Sequence, residues 1–308
     1  MWHIKVPASS ANLGSGLDTL GMALELWLEC WFTPARALDI EVHGEGRGQV
    51  SLDETNLIWQ SAESLHRAVA HQPMPRGHLI VSSQIPLGRG LGSSAAAVVA
   101  GLTLANACLE HPLGVDDLLQ WAVAIEGHPD NVAAAVYGGL VMAWQNGARV
   151  EVHRYRPPEL TTVLVIPQYE VSTSTARALL PERVSRHDAV FNAQRLGLWI
   201  DALWRRDWGL LKIAGQDRLH QPYRRALVHG MDAIIEAALA AGAVIATLSG
   251  SGPTILALAA PEEAVLVAAA IEAAILTIPD LSARIHLASP ALAGAALLPD
   301  NLGLKQGC

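Results

Sequence analysis

Apolar and polar positions along this chain alternate, then recur every three to four residues, then alternate again, and these changes of period mark its elements. HIKVPA (3–8) and Ala23 to Phe32 predict strands, the second rich in tryptophan. Asn56 to Val69 carries apolar residues at helical spacing, and HLIVSS (78–83) predicts a strand leading into a glycine-rich loop. Helices are predicted over 93–109, 115–126 and 129–137, and strands over 139–144 and 148–153.

The proline pair in YRPPEL, just after Tyr155, divides the chain into an expected first domain over 1–155 and a second over 156–308. The second half predicts a strand at 161–166, helices at 188–205 and 223–241, and a strand at 244–248. SGSGP (249–253) is a turn, TILALAA (254–260) a strand, 261–276 a helix and ARIHLA (283–288) a last strand. Helices packed on a largely antiparallel sheet make an α+β arrangement, and no internal repeat is present.

Composition narrows the function classes. With 308 residues, 51% hydrophobic and 16% charged, the chain can build two cored domains and has little disorder. A net charge of −8, from 21 Lys+Arg against 29 Asp+Glu, argues against a polyanion-binding protein, so any anion site must be local. Cys30, Cys108 and Cys308 are scattered, which suggests neither a disulfide framework nor a zinc site. The opening MWHIKVPASS lacks the order of a secretory signal, and the longest nearly apolar run, Ala95 to Leu109, is too short to span a bilayer. The expected setting is cytoplasmic, with small-molecule partners, no nucleic acid and no membrane; a homodimer stays open.

Residues 86–101 read PLGRGLGSSAAAVVAG, with Gly88, Gly90 and Gly92 at alternate positions. Glycine costs backbone entropy, so three together predict a tight loop, and Ser93 or Ser94 is placed to cap the helix that follows. Such a loop gathers N–H groups at the positive end of a helix dipole, which makes an anion site. The P-loop needs a lysine that is absent here, and the dinucleotide fingerprint needs a glycine where Ser93 stands. A plain turn into a buried helix is the alternative for this stretch alone.

Three further polar clusters join it: PASSANLGSGLDTLG (7–21), EGHPDN (126–131) and SGSGPT (249–254). Turn and cap chemistry explains each singly, but not all of them in order. The three glycine- and serine-rich loops resemble the three motifs of the GHMP kinase superfamily (galactokinase, homoserine kinase, mevalonate kinase and phosphomevalonate kinase). GRGLGSSAA resembles its phosphate-binding motif most specifically. Within that superfamily PASSANLGSGLDTLG, EGHPDNVAAAVYGG, VSTSTARALLP (171–181) and DRLHQPYR (217–224) together resemble the homoserine kinases, over residues 5 to 260 or so. Leu17 departs from the phenylalanine expected there, and EGHPDN is more compact than in some relatives.

The resemblance implies the GHMP kinase fold: an N-terminal domain like ribosomal protein S5 domain 2 and a C-terminal ferredoxin-like domain, with ATP at their junction. It assigns the nucleotide to Pro86, Leu87, Gly88, Arg89, Gly90, Leu91, Gly92, Ser93, Ser94, Ala95 and Ala96, with Gly250, Ser251 and Gly252, and sets Asn56 near the adenine. Mg²⁺ prefers hard oxygen ligands, and the resemblance offers Ser94 and Glu126. The acceptor would be a small amino acid with a terminal hydroxyl. Arg177 and Arg224 would grip its carboxylate with planar forks, Asp18 and Asn12 would take its ammonium, and His128 and Asp130 would complete the pocket. Asn131 stands where some relatives carry a catalytic aspartate, and an amide cannot accept a proton at neutral pH. With Thr173 as a phosphate contact, the expected chemistry is positioning and charge stabilisation, the hydroxyl proton passing to phosphate.

The implied activity is ATP-dependent phosphorylation of L-homoserine to O-phospho-L-homoserine, a step of threonine biosynthesis. Two alternatives stay open: a GHMP kinase for another small alcohol, such as mevalonate, and a catalytically silent ATP-binding sensor on the same fold. A nicotinamide dehydrogenase fails on the glycine spacing.

Overall fold

A computed structural model describes residues 1–109 and 113–299; Cys308, with the end of the expected second domain, lies outside the described residues. The chain opens on β1 (Trp2–Asn12) and the long β2 (Gly16–Pro34), paired antiparallel from Trp2 against Phe32 to Asn12 against Gly16. Every second residue of β2 from Leu24 to Phe32 is buried, the period of a strand with one face on a core. β3 (Asp39–Gly44), α1 (Leu57–Ala70) and β4 (Gly77–Ser83) follow, with β3 parallel to β4. Then come α2 (Ser93–Cys108), α3 (Val115–Glu126), α4 (Pro129–Tyr137) and the hairpin of β5 (Leu140–Asn146) and β6 (Arg149–Tyr155).

The second half runs through β7 (Thr161–Pro167), α5 (Thr173–Ala178), α6 (Arg186–Arg205), α7 (Leu211–Ala214), α8 (Gln221–Arg224) and α9 (Met231–Ala240). It ends with β8 (Ile245–Leu248), β9 (Ile255–Ala259), α10 (Ala264–Leu276), β10 (Ala283–Ala288) and β11 (Ala296–Leu298). The first sheet has the order β11-β1-β2-β4-β3 with β5 and β6 attached to β2, and the second the order β10-β7-β9-β8. Among the described residues every strand pair except β3 with β4 is antiparallel, and the second sheet has a βαββαβ succession.

Several elements differ from the pattern read along the chain. The helix expected over 223–241 is broken: α8 stops at Arg224, a 3₁₀ turn follows, Val228 is extended and Gly230, at φ 73°, opens α9. β3, β11, α5 and α7 were not expected. β11 returns the chain to the first sheet, where Leu297 pairs with Ile4 on the free side of β1.

The two sheets share a core. Alternate residues of the second sheet, Leu164, Ile166, Leu256 and Leu258, join the cluster that fills the first, together with Trp199 of α6. The intervening residues, among them Val163, Val165, Ile255 and Ala257, face α9 and α10 in a separate cluster. The second sheet is thus covered on both faces, and its loops meet those of the first.

Candidate active site

Three turns meet where the sheets join: 12–15 after β1, 86–92 before α2, and 249–254 between β8 and β9. Backbone bonds stitch them: Ser9 N–H donates to Leu91 O at 3.1 Å, Gly250 N–H to Ala11 O at 3.0 Å and Thr254 N–H to Arg89 O at 3.3 Å. Ser249 Oγ lies 2.8 Å from Ser10 Oγ and 2.7 Å from Gly90 O, and Asn12 Nδ2 donates to Gly250 O at 2.9 Å.

The alternate glycines answer to this crowding. Gly88, Gly90 and Gly92 have φ of 60°, 72° and 69°, the left-handed region that side chains disfavour. A Cβ on Gly90 would lie 2.3 Å from Ser249 O, and one on Gly92 would lie 2.0 Å from Ser9 Oγ. Gly92, and neither serine, is the N-cap of α2; Ser93 is the first helical residue. The Ser94 hydroxyl instead donates to Glu126 Oε2 at 2.9 Å.

A cavity of about 150 Å³ opens between these loops, lined by Asn12, Gly88 to Ser94, Glu126, His128, Asp130, Asn131, Thr173, Arg177, Arg224, Gly250 and Ser251 among others. Much of EGHPDN reaches it because two helices abut there: Gly127, at φ 84°, ends α3 and Pro129 opens α4. His128 Nδ1 lies 3.4 Å from Asp130 Oδ1 and its Nε2 lies 4.0 Å from Glu126 Oε1. Interaction with the Asp130 carboxylate outweighs burial and holds the imidazole pKa above its ordinary value. Ser9 Oγ donates to Asn131 Oδ1 at 2.9 Å, which leaves the amino end of that amide for the cavity. Thr173 Oγ1, on α5, is 3.5 Å from Ser251 Oγ.

Four of the expected site residues already hold partners within the protein. Asp18 does not line the cavity. Its Oδ1 accepts from Arg177 Nη2 at 2.6 Å and its Oδ2 from Nη1 at 3.3 Å, so it holds the arginine fork that does. Asn12 is spent on the loops, its Oδ1 accepting from Asp18 N–H at 3.1 Å. Arg89 carries no free fork: Nε donates to Pro167 O at 2.8 Å, Nη1 to Leu87 O at 2.8 Å and Nη2 to Gln168 O, with Glu170 paired at 3.0 Å. It fastens the glycine loop to the end of β7. Asn56 caps α1, with Oδ1 accepting from Ile58 N–H and Nδ2 donating to Ser51 O.

Of the remaining loop residues, Pro86, Leu91, Ala95 and Ala96 are buried and give the loop its footing, while Gly252 donates its N–H to Ser249 O within the turn. A second cavity of about 370 Å³ adjoins the first at Gly88, Ser93 and Ser94, with Val42, Val50, Leu57, Val81, Leu87 and Ala97 among its walls and Asn56 at one side.

Arg177 is half-buried; burial lowers its pKa, but Asp18 and Asp130 more than offset this and leave it raised. Arg224 is buried, with burial and then the Arg177 charge lowering its pKa. Its Nη1 donates to Gly250 O at 3.0 Å and its Nε to Ala176 O at 3.3 Å.

Four supporting residues went unnoticed in the sequence. Ser9 and Ser249 lie inside motifs already singled out. Asp217 and His220 lie in DRLHQPYR, and Asp217 Oδ2 accepts from the N–H groups of His220 and Gln221 at 2.9 and 2.7 Å. An aspartate shortly before a proline-started helix is a capping signal that could have pointed to them.

Comparison with known proteins agrees with this geometry. The families described as GHMP kinases N terminal domain and GHMP kinases C terminal match residues 56–139 and 199–275. The homoserine kinase of Moorella thermoacetica is 43% identical over 248 residues, covering 80% of this chain and 83% of that protein. That of Synechocystis is 41% identical over 254 residues, covering 80% and 82%. The crystal structure of homoserine kinase from Cytophaga hutchinsonii superposes with a TM-score of 0.85 at 28% identity, covering 96% of this chain and 97% of that one. Mevalonate kinase from Methanococcus jannaschii, at 14% identity and a TM-score of 0.69, covering 94% and 98%, shares the fold. With its loops, its cavity and its relatives in agreement, this chain belongs to the homoserine kinase family of the GHMP kinases.

Proposed function

We propose that this protein transfers the γ-phosphoryl group of ATP to the side-chain hydroxyl of L-homoserine, giving O-phospho-L-homoserine and ADP, and so serves threonine biosynthesis. The observation that carries this reading is one cavity in which the glycine loop, the Ser94–Glu126 oxygen pair and the side chains of Arg177 and Arg224 converge. The loop offers N–H groups to phosphate oxygens at the head of α2. The adjoining apolar cavity suits a flat base.

Mg²⁺ fits the donor set. Ser94 Oγ and Glu126 Oε2 are hard oxygens 2.9 Å apart, and no cluster of three or more His, Cys, Asp or Glu competes among the described residues. Two protein oxygens suffice for an ion that keeps waters and phosphate oxygens as its other ligands. Bound there, it would neutralise charge on the triphosphate.

The chain's own residues position the acceptor. Arg224 offers its Nη2 to the substrate carboxylate, beside Arg177, which Asp18 already orients. Asp130, lining the same cavity, is the acceptor for the ammonium group. The Asn131 amino group and Thr173 hydroxyl donate toward phosphoryl oxygens. The acceptor oxygen forms the new P–O bond as the bond to the ADP oxygen breaks, and the hydroxyl proton passes to phosphate.

A coupled ADP-release assay across homoserine, serine, threonine, mevalonate and galactose tests the reading. Homoserine is expected to exceed the other four. Equal turnover with mevalonate would reassign the acceptor, and no turnover with any alcohol would leave a nucleotide-binding sensor.

A further inference from the structure

His220 is fully buried just before α8, and each of its ring nitrogens meets a partner with one possible role. Nε2 lies 2.7 Å from Gly14 O, which can only accept, so Nε2 carries the proton. Nδ1 lies 3.2 Å from Arg224 Nη1, which can only donate, so Nδ1 is bare. The other tautomer, or an imidazolium, would set an N–H against the guanidinium.

Arg224 is thereby gripped on one side. Nη1 faces His220 and Gly250 O, Nε faces Ala176 O, and Nη2 has no hydrogen bond among the described residues while the side chain lines the cavity. We infer that His220 is a positioning residue, whose Nε2–H tautomer holds Arg224 so that Nη2 is the edge presented to the acceptor's carboxylate. The inference rests on Arg224 being the carboxylate ligand proposed above. Gly14 belongs to the turn after β1, so the imidazole also ties a loop of the first sheet to an arginine of the second half. Burial lowers its pKa and favours the neutral ring that this geometry needs.

Steady-state kinetics of His220→Asn, His220→Gln, Arg224→Ala and the Gln/Ala double variant test it, with homoserine and ATP varied separately. Aminopropanol, which keeps the hydroxyl and amine but has no carboxylate, is the control acceptor. Asparagine can set an oxygen near the Nδ1 position, whereas glutamine reaches toward Gly14 and withdraws the acceptor from Arg224. His220→Gln is expected to raise KM for homoserine about tenfold, leaving ATP and aminopropanol unaffected, and His220→Asn to restore most of it. The double variant is expected to be no worse than Arg224→Ala.

Wild-type homoserine KM in His220→Gln, with a raised one in Arg224→Ala, would overturn the positioning role alone. Unchanged discrimination between homoserine and aminopropanol in Arg224→Ala would overturn the carboxylate reading, and the inference with it. Equal losses toward homoserine, aminopropanol and ATP in both His220 variants would show a merely structural residue. Nitrogen NMR of histidine-labelled wild type needs no variant: an Nδ1–H or doubly protonated ring at neutral pH would also overturn the inference.

Discussion

The buried ring of His220 should make stability depend on pH. Burial is the largest influence and leaves its pKa below the ordinary value; Asp217 at 3.6 Å, the Gly14 carbonyl and Asp18 favour the charged form, and Arg224 opposes it. Below that ordinary value the unfolded chain binds a proton on this residue that the folded chain refuses. Stability present above it is therefore lost as pH falls toward the folded value, by up to about 1.4 kcal/mol per pH unit for one proton. Urea midpoints of wild type and His220→Asn, compared from about pH 7 to about pH 5, should converge on acidification, since asparagine does not titrate. Parallel midpoints across that range would mean that the ring is not kept neutral. At this scale, the sequence revealed residues whose neighbours lie in the same motif, such as Glu126 and His128. The tautomer of His220 depends on a carbonyl of Gly14 about 200 residues away, and no local pattern announces such a partner.

Among the elements, the glycine loop was the most legible, because its demand for left-handed backbone is written directly into residue type. Two left-handed glycines separate strain from crowding. Gly147, at φ 61° in the β5–β6 turn, has nothing within 4 Å of a would-be Cβ, whereas at Gly92 that atom would displace Ser9 Oγ and crowd Asn131 Oδ1. Gly147→Ala should cost the left-handed penalty alone, about 1–2 kcal/mol. Gly92→Ala should cost about 1–3 kcal/mol more, through the Ser9–Asn131 bond, and should also lower kcat. Urea denaturation and ADP release on both variants check this; equal stability losses with turnover intact in both would mean that Ser9 and Asn131 move aside freely. Other elements were illegible for stated reasons. β11 is three residues long and takes its strand form from β1, while β3 shows only a short exposed alternation. The break between α8 and α9 is hard to read from sequence because a single left-handed glycine, Gly230, carries it between two helix-compatible stretches.

For the whole molecule, the proline pair falls between β6 of the first sheet and β7 of the second, but residues from both sides of it share the cluster that fills the first sheet. Leu164, Ile166, Leu256 and Leu258 of the second sheet pack into the cluster of the first, and β11 carries the C-terminal part of the chain back to β1. Trp199 belongs to that shared cluster. It is completely buried on α6, and its Nε1 donates to Leu13 O at 3.0 Å, in the same turn whose Gly14 carbonyl holds His220. A shared core of this kind couples the halves far more strongly than the polar interfaces usual between domains. The chain should therefore unfold in one transition, with tryptophan fluorescence and far-UV circular dichroism coincident, since its nine tryptophans report on both halves. Trp199→Ala removes a large buried ring and leaves a carbonyl unpaired, which should destabilise by about 3–5 kcal/mol. The loss should shift the single transition without dividing it, because each half exposes shared core when the other opens. Two separated transitions in the wild type, or a variant in which only the C-terminal half melts early, would show that the halves are energetically independent. The acceptor site would then have to be assembled by docking two preformed bodies, instead of being built into one core.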